Sequence, residues 1–363
     1  MNNLSRRKKI IFAFIPVFLF FAIFEGGLRL LQFRYLKESY DSAKVIDLLN
    51  NAVQTDLLIR DDVFIWKYNP KAAFEGRSIN SLGFLDKERQ ISKPPESIRI
   101  LSLGDSCTAH GHPPYTSILE DKLNAVASST RKYEVINAGV YSYSTFQGVQ
   151  VAKKIIPLLK PDIVIILYGW NDHVLSSSGL TDLETGHILT KKKTSGLSGK
   201  LSIPKFIRQF RIFQLCHYVI TPFKSQKNIN KTRKTLRVPP SDYENNLSEL
   251  VKICHENSAI PVVLISPQNL IPNSIMTYFI SVGFFNSLDE FKNDHLSYQK
   301  LTQEIAEQEK VQYIDLENYL NQFEKKDIFT DDGIHWTDNG RKVISDKLSE
   351  LIRKLMIDKN QLR

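Results

Sequence analysis

Residues 98–106 read IRILSLGDS: a short β-prone apolar run that stops abruptly at Gly104-Asp105-Ser106. Four further runs of this kind follow along the chain, at 133–139 (YEVINAG), 162–169 (DIVIILYG), 261–267 (PVVLISP) and 311–316 (VQYIDL). They are largely continuous rather than alternating, which is the pattern of strands buried on both faces of a parallel sheet.

Helical periodicity fills the gaps between them. After the first run, Pro113 and Pro114 precede a stripe of Tyr115, Ile118, Leu119 and Leu123, with proline placed at a helix start. Before the fourth run, Ser241-x-x-Glu244 predicts a capping box leading into Tyr243, Leu247, Leu250, Val251 and Cys254. Near the C-terminus, Thr337 is the predicted N-cap of a helix carrying Val343, Ile344, Leu348, Leu351, Ile352 and Leu355. Strand and helix alternate through some 250 residues, so the expected fold class is α/β, a three-layer α/β/α sandwich with a five-stranded parallel sheet. In such sheets ligands bind at the carboxyl ends of the strands.

Reactive side chains fall at those ends. The first strand ends in Gly104-Asp105-Ser106, the second in Asn137-Ala138-Gly139 and the third in Gly169-Trp170-Asn171-Asp172. Asp331-Asp332-Gly333-Ile334-His335 lies just before the last helix. Each block alone fits an ordinary turn, but all four occur in order at one predicted edge. Serine needs an adjacent base to act as a nucleophile, and imidazole suits that role at neutral pH. A carboxylate on the second ring nitrogen fixes the tautomer. Asp332 is spaced to reach back to His335, and Asp331 is the alternative. The backbone N–H groups of Ser106 and Gly139 and the side-chain amide of Asn171 are candidate donors to an oxyanion.

The blocks GDSCT, NAG, GWND and DGIH resemble the four signature blocks of the SGNH hydrolases, the GDSL esterases and lipases, over about residues 98 to 352. The resemblance implies Ser106 as nucleophile, His335 as base, Asp332 as its partner, and Ser106, Gly139 and Asn171 as oxyanion donors. It also implies a flavodoxin-like strand order 2-1-3-4-5 and no cofactor. Two positions depart from the family pattern. Cys107 replaces a common apolar residue and predicts packing, while Trp336 stands where proline is frequent and predicts a reshaped pocket wall. The expected activity is cleavage of a carboxylic ester on an envelope glycan or lipid through an acyl-enzyme. The alternatives are acyl transfer to a glycan acceptor and a non-catalytic anchored binding protein.

Outside the blocks, the formal net charge of +9 has a specific distribution. Residues 6–9 are Arg-Arg-Lys-Lys, followed by an unbroken apolar run of 15 residues, Ile10 to Phe24. With no small-residue cleavage site after it, this predicts an anchor rather than a cleaved signal peptide. The flanking charge predicts an N-terminus in the cytoplasm and a catalytic domain outside it. This start, with the INSLGF module, resembles the membrane-anchored branch of the same family. The expected domains are 1–34 (tail and transmembrane anchor), 35–97 (juxtamembrane linker and loop-rich module) and 98–357 (catalytic domain).

A basic insertion, 176–240, interrupts the catalytic domain with 13 Lys/Arg against two acids. A stripe of Ile203, Phe206, Ile207, Phe210 and Phe213 beside Lys205, Arg208 and Arg211 predicts either a lid docking on anionic lipid or glycan, or a helix packed on the sandwich. Its aromatics follow the apolar stripe instead of interleaving with the charge, so nucleic acid is not the expected partner. Three cysteines without CxxC spacing exclude a disulfide scaffold or zinc ribbon. His110 and His112 are predicted near the pocket, His173 is positioned to contact substrate, and no clustered acid or thiol supports a metal site. His187, His217, His255 and His295 read as surface or structural residues.

Overall fold

In the computed structural model, residues 6–30, 57–74, 76–127, 132–176, 179–194, 210–212, 215, 235–281 and 283–361 are described. The chain begins with a helix, α1 (Arg6–Leu30). Two small antiparallel ladders follow, β1 (Leu58–Asp61) with β2 (Ile65–Tyr68), and β3 (Ala73–Phe74) with β4 (Arg77–Ser78). The main strands are β5 (Ser97–Gly104), β6 (Lys132–Gly139), β7 (Ile163–Leu167), β8 (Ile260–Ile265) and β9 (Gln312–Asp315). They form one parallel sheet in the order β6-β5-β7-β8-β9, the implied 2-1-3-4-5.

The stripes predicted at 115–123, 243–254 and 343–355 become three of the helices that cover the sheet. On one face, α4 (Thr145–Leu159), α6 (Pro240–Glu256) and α8 (Leu288–Gln308) bury Val151, Ile155, Leu247, Leu250 and Tyr298 in a single cluster. On the other face, α3 (Tyr115–Ala125) and α11 (Asp338–Gln361) bury Leu119, Leu123, Ile344, Leu348 and Ile352. Short helices α7 (Ser274–Ser281), α9 (Leu316–Leu320) and α10 (Lys325–Ile328) occupy connections between these elements. Thr337 caps α11 as predicted, its hydroxyl accepting from Gly340 N–H at 3.0 Å. The predicted capping box at Ser241 does not form. Helix α6 starts at Pro240, two residues before the Asp242 start that a Ser241 N-cap implies, with Pro239 as N-cap and no side-chain cap. A proline at the first helical position already has a helical φ and lacks an N–H that would have no intrahelical partner, so the helix begins there and Ser241 falls inside its first turn.

Residues 57–97 are packed onto the sandwich. Trp66 and Tyr68 belong to the same buried cluster as Tyr141 and Tyr143. Trp66 Nε1 donates to Tyr141 O at 3.2 Å, and Tyr143 Oη donates back to Trp66 O at 2.8 Å.

Two expectations meet the structure only in part. No helix among the described residues is long and apolar enough to cross a membrane. The physical reason lies in α1 itself: its unbroken apolar run rises only about 22 Å, against a hydrocarbon core of ~30 Å, and the Glu25–Arg29 ion pair at 2.8 Å closes it off. In the insertion, helix α5 (Asp182–Thr194) is present, while residues 177–178, 195–209, 213–214 and 216–234, including Lys205, Arg208, Phe213, Arg233 and Lys234, lie outside the described residues. Arg237, one of the 13 cations of the insertion, lies inside the fold. It is buried, paired with Asp182 at 2.8 Å, donates to Ser142 O at 2.9 Å and lies 5.1 Å over the Trp66 ring.

Candidate active site

Parallel register brings the blocks together. Gly104 at the end of β5 pairs with Gly139 on β6 and Leu167 on β7, so the three chains leave the sheet at the same level. Ser106 opens a one-turn helix, α2 (Ser106–Ala109), capped by Asp105, whose Oδ1 accepts from Cys107 N–H at 2.8 Å. The first N–H groups of a helix have no intrahelical acceptor, which leaves that of Ser106 available to a ligand.

His335 arrives from the loop before α11. Its Nε2 lies 2.8 Å from Ser106 Oγ, and its Nδ1 lies 2.5 Å from Asp332 Oδ2. The other carboxylate oxygen of Asp332 accepts from the N–H groups of Ile334 at 2.8 Å and His335 at 2.9 Å and from Thr330 Oγ1 at 2.8 Å. Burial alone would raise the Asp332 pKa. The neighbouring His335 and these hydrogen bonds outweigh it and hold the carboxyl well below the usual range. Asp331 is exposed and only its backbone carbonyl is engaged, by Asn273 Nδ2 at 2.7 Å. Gly333, at φ +65°, makes the turn, and any Cβ there would collide with the Asn269 carbonyl.

Asn171 lies beside Ser106, and its Nδ2 donates to Asp105 Oδ2 at 3.1 Å. An amide carries two N–H bonds, so the second is free to face the pocket that Ser106, Asn171 and His335 line together. Gly139 is placed differently. Its N–H donates to Asn137 Oδ1 at 2.9 Å, and it is absent from that lining. A Cβ at Gly139 would strike the Thr108–Ala109 backbone, so glycine is required there for close approach of α2 to the sheet.

Two residues that the sequence marked only as parts of blocks have structural work at the site. Asp105 caps α2 and orients Asn171; burial pushes its carboxyl up to about 6, opposed by hydrogen bonds from Cys107 and Asn171 and by nearby His335. Asn137 Nδ2 donates to Thr108 O at 2.9 Å and Thr116 Oγ1 at 3.1 Å, tying α2 and α3 to β6. Both are strand-end polar residues followed by a small residue or a helix start, which was the available signal.

The remaining predicted neighbours separate. His110 stays at the site, its ring 5.1 Å from that of His335, whereas His112 is exposed. His173 does not face substrate. It is buried behind Trp170, its Nε2 3.0 Å from His295 Nδ1, because the β7 loop turns inward against α8. His295 Nε2 donates to Ser266 O at 3.0 Å. Trp336 packs against Tyr115 with ring centroids 5.6 Å apart and is not among the pocket lining. Cys107 is buried, as its packing role predicts, and burial raises its thiol pKa well above normal.

A family model described as GDSL-like lipase/acylhydrolase matches residues 102–343, the span that carries every group above. The chain belongs to the GDSL-like lipase/acylhydrolase family. It is a hydrolase acting on ester bonds. Solved structures similar to this GDSL hydrolase include a lipase/acylhydrolase from Enterococcus faecalis, with TM-score 0.45 and 15% identity over 71% of this chain and 96% of that one. A GDSL-like lipase from Bacteroides thetaiotaomicron gives 0.40 and 14%, covering 71% and 88%. A catalytic mutant of an acetylxylan esterase from Geobacillus stearothermophilus gives 0.41 and 15%, covering 69% and 91%. No curated protein sequence matches the GDSL hydrolase.

Proposed function

We propose that this GDSL hydrolase cleaves an O-acyl ester of an envelope glycan or lipid through an acyl-enzyme on Ser106. The observation that carries it is the continuous relay Asp332–His335–Ser106, with contacts of 2.5 and 2.8 Å. Ser106 Oγ attacks the carbonyl carbon while its proton passes to His335 Nε2. The carbonyl oxygen becomes an oxyanion held by Ser106 N–H and the Asn171 amide. Collapse breaks the ester C–O bond, and the alcohol leaves with the proton from His335. Water then repeats the sequence, giving its proton to His335 and releasing the acid as Ser106 is regenerated.

The test is steady-state turnover of a p-nitrophenyl acyl ester. Ser106→Ala and His335→Ala are each expected to lower kcat by about 10³-fold or more. Wild-type turnover by either variant would overturn the assignment.

The same protein is proposed to be held at a membrane by its N-terminal helix, with residues 6–9 on the cytoplasmic side and the catalytic body outside. Supporting this, Phe14, Ile23 and Leu30 are 66%, 74% and 86% exposed on α1, an apolar surface that water disfavours. Arg29 snorkelling and local bilayer thinning accommodate a short run. Deletion of residues 1–30 is expected to move the protein from the membrane to the soluble fraction. An unchanged distribution would rule the tether out.

A further inference from the structure

The pocket beside Ser106 has about 30 Å³ of free volume. One water-sized group needs roughly 10–15 Å³, so the slot receives about two or three such groups. Its apolar wall is made of Trp170, Phe279, Phe284, Phe285, Phe291 and Ile334, and its polar residues are Ser106, Asn171 and His335. Four of these walls are phenylalanines from residues 279–291, a segment that no sequence motif singled out.

The wall is fixed by its own packing. Phe285 and Phe291 stack with centroids 4.1 Å apart and an 11° interplanar angle. Phe279 meets Phe284 at 5.3 Å and Phe285 at 6.4 Å. Trp170 closes the floor, stacked on buried His295 at 3.8 Å and tilted on Phe291 at 5.9 Å. The loop carrying Phe284 and Phe285 is pinned by Leu175 N–H to Phe284 O at 2.8 Å and by Ser287, which caps α8. Opening the slot by one methylene therefore means separating stacked, buried rings, the kind of overpacking that cores resist.

The polar groups of the slot, Ser106, Asn171 and His335, are those that engage the ester carbonyl, so its aromatic wall leaves a sugar hydroxyl no partner to repay desolvation. The slot does accept the methyl of a small acyl group whose carbonyl oxygen lies at Ser106 N–H and Asn171. We infer that the phenylalanine wall of residues 279–291 is the acyl-length gate of this esterase, and that its substrates are acetyl esters, with the alcohol portion outside the slot. The inference rests on the acyl-enzyme at Ser106 proposed above.

The experiment is kcat/KM for p-nitrophenyl acetate, butyrate and octanoate, with Ser106 labelling by a fluorophosphonate bearing only small alkyl groups. A misfitted methylene is worth roughly 10- to 200-fold. Acetate is expected to exceed butyrate by at least about tenfold, with octanoate lower still. Phe285→Ala is expected to raise the butyrate-to-acetate ratio by about tenfold. Phe279→Leu, a milder change, serves the same purpose should Phe285→Ala lose its cooperative melt. Labelled Ser106 with acetate and octanoate turned over alike, or an unmoved ratio in a folded variant, would overturn the gate and leave the acyl-enzyme standing. No labelling and no turnover of any ester would overturn the acyl-enzyme itself, and the gate with it.

Discussion

Asp172 shows how far one side chain can depart from what its position suggests. It follows Asn171 at the end of β7, yet it is fully buried, with Oδ1 accepting from Thr145 N–H at 2.9 Å and Thr145 Oγ1 at 2.5 Å. Burial pushes its carboxyl up to about 7, despite those bonds and nearby Arg237, with Asp182 adding to the rise. The folded state thus keeps this proton up to about pH 7, while the unfolded chain releases it near the reference value of ~3.9. Between those limits the folded state binds more protons, so this group's contribution to stability falls as pH rises. Asp172→Asn removes that titration. The melting temperature of the variant minus that of the wild type is expected to increase steadily from pH 4.5 to pH 7, measured by thermal denaturation in matched buffers. A difference independent of pH would show that Asp172 is ionised throughout the range. Comparing variant with wild type matters because His173 and His295 act in the opposite sense. Burial lowers both imidazoles, so their contribution rises with pH toward ~6.5.

At the scale of elements, the five strands and helices α3, α6 and α11 were legible because the apolar pattern decides them. The order of the sheet was not, since periodicity says nothing about which strand pairs with which; it came from the resemblance. Ser106, Asn171, Asp332 and His335 were legible as strand-end chemistry, while the phenylalanine wall was not, because Phe279, Phe284, Phe285 and Phe291 read as ordinary core. The capping box expected at Ser241 is absent because the two preceding prolines start the helix ahead of it. Arg237 shows the same limit for charge. In the sequence it is only one of 13 cations of the insertion, but it clamps the start of α5 to the loop before α4 through Asp182 and Ser142. Removing one partner of a buried ion pair leaves the other uncompensated, typically costing about 3–5 kcal/mol. Arg237→Ala is expected to lower unfolding free energy by about that amount in urea titration. A change under about 0.5 kcal/mol, the scale of exposed pairs, would place this ion pair in the solvent-screened class.

At the scale of the molecule, the overall +9 charge resolves into +4 at residues 6–9, +11 in residues 176–240 and 9 − 4 − 11 = −6 elsewhere. The body that carries the site is mildly acidic, and its Asp332–His335–Ser106 relay sits at the carboxyl edge of a sheet whose two faces are fully covered. Chemistry at Ser106 is the claim on which the proposed substrate and the acyl gate both depend. Its most direct test is mass spectrometry of the intact protein, acid-quenched during turnover of p-nitrophenyl acetate, followed by peptide mapping. The predicted result is one acetyl group on Ser106, absent in Ser106→Ala. Sustained wild-type hydrolysis with no acetyl on Ser106, with hydrolysis undiminished in Ser106→Ala, would contradict it.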